Sequence, residues 1–263
     1  MILTDTHAHI YDEAFDQDRA EVMQRALTAG VERIFLPAID SESHWAMFEM
    51  CREYPRNCMP MMGLHPTSVN DNPRYGEELL LVERYLESPP EGIERFVALG
   101  EIGLDLYWSA EWQRQQVEAF ERQIELSILY GLPMVIHTRS AWPLMHEVLG
   151  RYKGRGIRGV MHAFSGSFDD YRRIKDYGDF VFGIGGVLTY KKGDITDMLP
   201  RIPPQDVVFE TDCPYLTPAP FRGKRNESGY LKYICDKAAE LWGITVEQAA
   251  AVTTENSKRI FGI

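Results

Sequence analysis

The chain has 263 residues, of which 44% are hydrophobic and 25% charged, a composition typical of globular proteins. Its formal net charge of −11 argues against a broad basic surface for non-specific nucleic-acid binding, but is compatible with a local cationic patch or an acidic metal site. No apolar window approaches the ~20 residues of a membrane span, no signal peptide is apparent, and the four cysteines form no Cys-x-x-Cys pair. We therefore expect a reduced, cytoplasmic protein without membrane contact.

Short apolar runs alternate with segments of helical spacing along the whole chain. The apolar runs are Ile2–Asp5, Arg33–Ile39, Cys58–Leu64, Phe96–Gly100, Pro133–Ile136, Arg158–Met161, Phe180–Ile184 and Val207–Phe209. The helical segments are Asp16–Ala29, Ser43–Tyr54, Tyr75–Leu86, Ala110–Tyr130, Trp142–Tyr152, Asp169–Tyr177, Asp194–Leu199 and Gly229–Trp242, followed by Val246–Ala251 and Thr254–Phe261.

This alternation predicts an α/β protein with a parallel sheet. Eight strands are the number that closes a (β/α)₈ TIM barrel, so we expect one such barrel domain over residues 1–263. The two C-terminal segments are extra helices, expected to pack outside the barrel or across one end. An open doubly wound sheet is the alternative.

Histidines and carboxylates follow the apolar runs. His7 and His9 end the first run and share one face of a strand, because alternate side chains point the same way. Five of the seven histidines end such runs; His44 and His146 lie in helical segments and are expected at the surface. In a barrel, the strand ends meet at the rim that holds active sites.

The residue types at this rim indicate a metal site. Imidazoles and carboxylates suit zinc, and also manganese, better than magnesium alone. Six such ligands exceed one open tetrahedral site and fit two divalent cations with a bridging carboxylate. The predicted ligands are His7, His9, Glu101, His137, His162 and Asp212.

At these motifs the chain resembles the TatD family of metal-dependent hydrolases, and within it the bacterial YjjV branch. The resemblance extends over essentially the full length. The motifs that carry it are Asp5-Thr6-His7-Ala8-His9, Gly63-Leu64-His65-Pro66, Gly100-Glu101-Ile102-Gly103-Leu104-Asp105, His137-Thr138-Arg139, His162-Ala163-Phe164-Ser165-Gly166, Glu210-Thr211-Asp212-Cys213-Pro214-Tyr215-Leu216, Arg222-Gly223-Lys224-Arg225-Asn226-Glu227 and Thr254-Glu255-Asn256.

The resemblance implies a specific ligand arrangement. His7, His9, Glu101 and Asp212 would hold one metal, and Glu101 would bridge to a second. His137 and His162 would complete that second site. Two positions depart from the family pattern. Thr67 replaces the second histidine of a His-Pro-His sequence, which affects substrate contacts, and Ser228 replaces a proline, which affects a helix start.

Several further residues are candidates for substrate contact. His65 is expected to touch a phosphate or leaving group, and Tyr215 to stack on a base. Guanidinium groups match phosphate geometry, which makes the basic residues near the rim candidates for phosphate binding. These are Arg139, Arg222, Lys224 and Arg225.

The leading functional hypothesis is hydrolysis of a phosphodiester by a metal-bound hydroxide, with Asp212 and Glu101 as catalytic carboxylates. The family resemblance implies DNase activity, often 3′ to 5′ exonucleolytic, on DNA or another phosphodiester. Two cations are expected, most often Zn²⁺, with Mn²⁺ or Mg²⁺ possible in activity.

Two alternatives stay open. The first is hydrolysis of a carboxylic ester such as D-aminoacyl-tRNA, so that tRNA is a second candidate substrate. The second is a non-enzymatic barrel that uses metal for stability or as part of a protein complex. No obligatory protein partner is evident from the sequence.

Overall fold

Parallel strands alternate with helices along the chain, as the apolar pattern predicts. The computed structural model describes residues 1–191 and 194–263. The strands are β1 (Leu3–Asp5), β2 (Val31–Pro37), β3 (Cys58–Met61), β4 (Leu99–Asp105), β5 (Met134–Arg139), β6 (Arg158–Met161), β7 (Asp179–Ile184) and β8 (Val207–Phe209). The α-helices are α1 (Arg19–Thr28), α2 (Ser41–Glu53), α3 (Tyr75–Glu87), α4 (Gln113–Tyr130), α5 (Trp142–Arg151), α6 (Phe168–Tyr177), α7 (Asp194–Met198), α8 (Leu231–Trp242) and α9 (Val246–Phe261).

The strands form two parallel sheets, β1-β2-β3 and β4-β5-β6-β7-β8. A single bridge between Met62 and Leu99 links β3 to β4. The second seam between the two sheets lies between β1 and β8. There the Thr6 N–H donates to the Phe209 carbonyl at 3.0 Å. The strand pairing is therefore not continuous around the eight strands, but backbone hydrogen bonds connect the two sheets at both places where they meet. This α/β arrangement is consistent with the predicted TIM barrel.

An apolar cluster joins inward-facing strand residues to the end of α9. Phe35 and Phe261 meet edge to face with ring centroids 4.3 Å apart. Such a packed interior makes the barrel a solid core rather than a pore. The other members of the cluster are Met61, Val97, Ala98, Val135, Val160, Val181, Val208 and Ile260.

The C-terminal helices agree with the prediction in order but not in number. Helix α8 follows β8 and packs against β1 and β8, as expected for the eighth helical segment. Helix α9 is one continuous helix over Val246–Phe261 rather than the two predicted pieces, and it packs against β1, β6 and β8, with Ile260 and Phe261 in the apolar cluster described above. Within residues 1–191 and 194–263, no helix combines the length and apolar character needed to cross a bilayer.

Candidate metal centre

Glu101 lies between two sets of imidazoles and directs one oxygen to each. Its Oε2 lies 3.2 Å from Nε2 of His7 and 3.8 Å from Nε2 of His9. Its Oε1 lies 2.8 Å from Nδ1 of His137 and 3.6 Å from Nε2 of His162. A carboxylate that faces two ligand sets in this way is arranged as a bridge.

Asp212 lies on the His7 and His9 side of the cluster. Its Oδ1 is 3.4 Å from Nε2 of His9 and 3.7 Å from Nε2 of His7. It is 3.8 Å from Nε2 of His162. All six predicted ligands therefore converge in space, although they come from strands or strand ends spread over the whole chain.

Glycine allows the strands to approach closely beside these ligands. Gly103 has a φ of +139°, which L side chains rarely adopt, and a Cβ placed there would lie 2.1 Å from the His137 carbonyl oxygen. The register pairs Gly103 directly with His137. The absence of a side chain at Gly103 thus allows β4 to bring Glu101 close to His137.

Neighbouring polar groups orient the rings. The Tyr11 hydroxyl donates to the Pro37 carbonyl, so its oxygen can accept from Nδ1–H of His9 at 3.0 Å. In the neutral ring, this bond places the proton on Nδ1, so that the lone pair of Nε2 faces Asp212. Outer groups of this kind fix the tautomer of histidine ligands in metal sites.

Carboxylates occupy the same outer position behind two other rings. Oδ2 of Asp105 lies 2.9 Å from Nε2 of His137. Oε1 of Glu210 lies 3.0 Å from Nδ1 of His162 and also accepts the N–H of Ala163. Asp105 and Glu210 are functional candidates that the sequence reasoning did not assign.

His65 has the opposite tautomer from His9. The backbone N–H of Thr67 can only donate, and it does so to Nδ1 of His65 at 3.1 Å. Burial lowers the pKa of His65, so the ring is neutral at pH 7 and carries its proton on Nε2. Nε2 lies 3.4 Å from Oε1 of Glu101. His65 is therefore better suited to donate a hydrogen bond than to bind a metal, although it lies within ligand distance of Glu101 and His137.

Both inner carboxylates are held ionised. Burial alone would raise the pKa of Glu101, but the imidazoles of His65, His7 and His162 hold it well below its usual range. Burial also opposes ionisation of Asp212, yet the neighbouring imidazoles of His9 and His162 lower its pKa. The centre therefore presents two anionic ligands at neutral pH.

Two of the imidazoles are held protonated when no cation is bound. Burial alone would lower the pKa of His137, but hydrogen bonds to Asp105 and Glu101 raise it to about 9. Burial likewise opposes the protonation of His162, and the Glu210 and Glu101 carboxylates raise its pKa to about 10. Positive charge thus accumulates on the same rings that the ligand pattern assigns to a metal.

Beneath this cluster, Asp5 at the end of β1 is hydrogen-bonded to the segment that follows β8. Its Oδ1 accepts the N–H of Thr211 at 2.9 Å, and its Oδ2 accepts the hydroxyls of Thr211 and Ser228 at 2.6 Å each. Burial raises the pKa of Asp5 to about 7. Ser228, one of the two departures from the family pattern, thus begins a short helix and also braces β1 against the loop that carries Asp212.

The donor set is suited to binding divalent metal. Three overlapping groups of three ligand atoms form within the part of the chain that the structure describes. Mixed imidazole and carboxylate donors of this type suit zinc or manganese. One group is His7, His9 and Asp212, and a second is His7, Glu101 and His162. The third is His65, Glu101 and His137, in which the tautomer of His65 argues for a hydrogen-bond role.

The cluster lies at the base of a cavity of about 1070 Å³. Arg139 and Tyr215 line this cavity, as does His65. The ring centroids of Tyr215 and His9 are 6.2 Å apart. These three predicted substrate contacts therefore share one space with the metal ligands.

The remaining predicted contacts have other surroundings. Arg222 stacks on Tyr190 with its guanidinium 4.0 Å from the ring centroid, and Lys224 is exposed; neither lines the cavity. Arg225 pairs with Asp18 through two bonds of 2.7 and 2.8 Å. The structure thus corrects the placement of Arg225, because this ion pair occupies its guanidinium away from the cavity.

The two helical histidines are also not where the sequence suggested. His44 and His146 are both buried. Nε2 of His146 lies 2.7 Å from Oδ1 of Asp170, a hydrogen-bonded contact between α5 and α6. His44 packs edge to face against Tyr85. Both therefore belong to the packing between helices rather than to the surface.

Comparisons with known proteins identify the family. A family model described as TatD related DNase matches residues 4–262. The chain is 37% identical to a Bacillus subtilis protein named uncharacterized metal-dependent hydrolase YabD, over 100% of both chains. It is 28% identical to a protein of Erwinia tasmaniensis named 3′-5′ ssDNA/RNA exonuclease TatD, over 98% of this chain and 99% of the relative.

A solved structure shows the same fold. The Escherichia coli TatD homologue YjjV superposes with a TM-score of 0.89 at 28% identity, covering 99% of this chain and 98% of the other. The predicted resemblance to the TatD family and to YjjV is thereby confirmed. The chain belongs to the TatD family of metal-dependent hydrolases.

Proposed function

We propose that this hydrolase cleaves phosphodiester bonds at the end of a single nucleic-acid strand, using two divalent cations. The observation that carries the proposal is the position of Glu101 between two sets of imidazoles at the base of an open cavity. The proposal is supported by relatives in Erwinia and Pectobacterium that are named 3′-5′ ssDNA/RNA exonucleases.

Two groups of residues would hold the cations. His7, His9 and Asp212 form one, His137 and His162 the other, and Glu101 faces both. Bound divalent cations lower the pKa of coordinated water from 15.7 toward ~7 and offset negative charge on a phosphoryl group.

The protein's own side chains have distinct tasks in this reaction. Asp212 is ionised at neutral pH and is placed to orient the attacking water and accept its proton. His65 presents Nε2–H from the same cavity and is placed to donate to a phosphoryl or leaving-group oxygen. Tyr11, Asp105 and Glu210 hold imidazole rings in position.

The test replaces Asp212 by asparagine and measures turnover of a short single-stranded DNA and of bis(p-nitrophenyl) phosphate with added Mn²⁺ or Zn²⁺. We expect wild-type turnover that requires metal, and a loss of about 100-fold or more in Asp212→Asn. Asp176→Asn is the control, because the Asp176 carboxylate lies at the surface, where it pairs with Lys153. Metal content is measured on the same samples.

Unchanged turnover in Asp212→Asn would remove its proposed role. D-aminoacyl-tRNA is assayed in parallel, since the same ligands could polarise a carboxylic ester. Dominant deacylation with weak diester cleavage would replace the phosphodiesterase assignment by that of an ester hydrolase.

A further inference from the structure

Charge is unevenly distributed around the cavity mouth. Asp12 and Glu13, which follow β1, line one side together with Asp40 and Glu42, which follow β2. Among the described residues that line the cavity, Arg139 at the end of β5 is the only arginine or lysine. A polyanionic strand is therefore repelled from the β1–β2 side and attracted to the β4–β5 side.

Exposed aromatic rings lie on that same β4–β5 side. Tyr107 and Trp108 follow β4 directly and are 55% and 68% exposed. Their rings meet edge to face with centroids 5.0 Å apart. The guanidinium of Arg139 lies 3.7 Å from the Tyr107 ring centroid and 5.4 Å from that of Trp108. We call Tyr107, Trp108 and Arg139 the β4–β5 platform.

Hydrogen bonds connect this platform to the metal centre. The N–H of Tyr107 donates to Oδ1 of Asp105 at 3.0 Å, and the other oxygen of Asp105 lies 2.9 Å from His137. The N–H of Leu106 donates to the Arg139 carbonyl at 2.9 Å. The platform is therefore held in a defined position beside the candidate ligands and does not sit on a free loop.

We propose that the β4–β5 platform is a binding subsite for a nucleobase of single-stranded nucleic acid, which stacks on Trp108 while Arg139 contacts the adjoining phosphate. Every base has a π-face, so an aromatic ring with a neighbouring cation binds single strands with little sequence preference. This inference rests on the proposed function, and it defines the side from which the strand enters the cavity.

The test compares Trp108→Ala with Trp45→Ala. Trp45 is also 68% exposed and also has an arginine near its ring, Arg52 at 5.4 Å, but Arg52 does not line the cavity, whereas Arg139 beside Trp108 does. We expect Trp108→Ala to raise KM for oligothymidylate about ten-fold, with kcat unchanged. Trp45→Ala should match the wild type, and Trp108→Phe should restore most of the affinity.

Two further measurements separate this subsite from the hydrolytic centre. Bis(p-nitrophenyl) phosphate has no strand to reach the platform, so Trp108→Ala should cleave it at the wild-type rate. Fluorescence anisotropy of a labelled oligothymidylate measures binding without turnover. By this measurement, the affinity of Trp108→Ala should be lower than that of the wild type by a similar factor. An oligomer of abasic sugar phosphates should bind wild type and Trp108→Ala equally.

Equal KM values for Trp108→Ala and Trp45→Ala on oligothymidylate would overturn the subsite while leaving the phosphodiesterase proposal intact. If the wild type cleaves neither diester, the proposed function fails. The binding subsite is then tested by anisotropy alone, by comparing the wild type with Trp108→Ala. Equal binding of oligothymidylate by wild type and Trp108→Ala would overturn the platform in that case also.

Discussion

The backbone N–H of Thr67 donates to Nδ1 of His65, and this bond decides which nitrogen of the ring carries the proton. It leaves Nε2–H directed at Oε1 of Glu101, 3.4 Å away. His65 therefore differs in chemical role from His9, whose Nδ1 is paired with Tyr11 and whose Nε2 is free to bind a cation. Thr67 occupies the position where the family pattern often has histidine, so this helix start departs from that pattern.

The first prediction separates these two histidines. His65→Ala should keep its metal but lose about 100-fold in kcat, since one hydrogen-bond donor to the developing charge is removed. His9→Ala should lose metal as well as activity. Metal content by elemental analysis, measured together with turnover, distinguishes the two. Loss of metal in His65→Ala would show that His65 is a ligand.

The second prediction concerns Tyr11. Tyr11→Phe removes the oxygen that accepts from His9, so the ring is free to change tautomer and orientation. We expect metal affinity to fall by about ten-fold, with an unchanged circular dichroism spectrum. Isothermal titration calorimetry with Zn²⁺ measures the change. Tyr75→Phe, which removes a hydroxyl hydrogen-bonded to Glu118 away from the cavity, should bind metal like the wild type.

The third prediction links metal uptake to pH. In the metal-free protein, neighbouring carboxylates hold His162 protonated, with a pKa of about 10, against the opposing effect of burial. An imidazole must lose that proton to bind a cation, so metal binding releases protons and tightens as pH rises from 6 to 8. Calorimetry in two buffers of different ionisation enthalpy gives the number of protons released. Proton uptake on binding would contradict the assignment.

The fourth prediction tests the packing of the end of α9 against the interior of the barrel. Phe261 is buried and packs on Phe35, so Phe261→Ala should lower the free energy of unfolding by about 3 kcal/mol. Leu129, which is 71% exposed on α4, is the control residue, and Leu129→Ala should change stability by less than about 0.5 kcal/mol. Urea denaturation of the two variants measures the difference. If Phe261→Ala left the free energy of unfolding nearly unchanged, the end of α9 would not contribute to the stability of the barrel interior.

Much of the fold was predictable because apolar runs alternate with helical segments, and because polar residues at the run ends converge. The bounds of β4 were wrong: it covers Leu99–Asp105, not Phe96–Gly100. Glu101 and Asp105 look like loop residues in sequence, yet they lie inside the strand and both contact His137. The pairing of β4 with β5 shifts between Gly100 and Ile102, which interrupts the period-two pattern at Glu101 and hides Asp105 as a partner of the site.

Tertiary contacts explain the other misjudged element. The two predicted C-terminal pieces, Val246–Ala251 and Thr254–Phe261, leave a break at residues 252–253. In the structure, the Thr253 hydroxyl donates to the Ala249 carbonyl within one continuous α9, and Asn256 donates to Pro204 and Val207 on the barrel. The Asn256 bonds form only once the barrel is present, so no local pattern could show them.

The seam held by Asp5 also has a consequence for the order of folding. Asp5 and Thr211 are 206 positions apart in the chain, and the same seam separates His7 and His9 from Asp212. A polypeptide that has not yet joined its first strand to its eighth cannot assemble that half of the ligand set. Binding of a cation by these ligands should therefore follow the pairing of the first strand with the eighth, which makes metal uptake a reporter of a highly non-local step of folding.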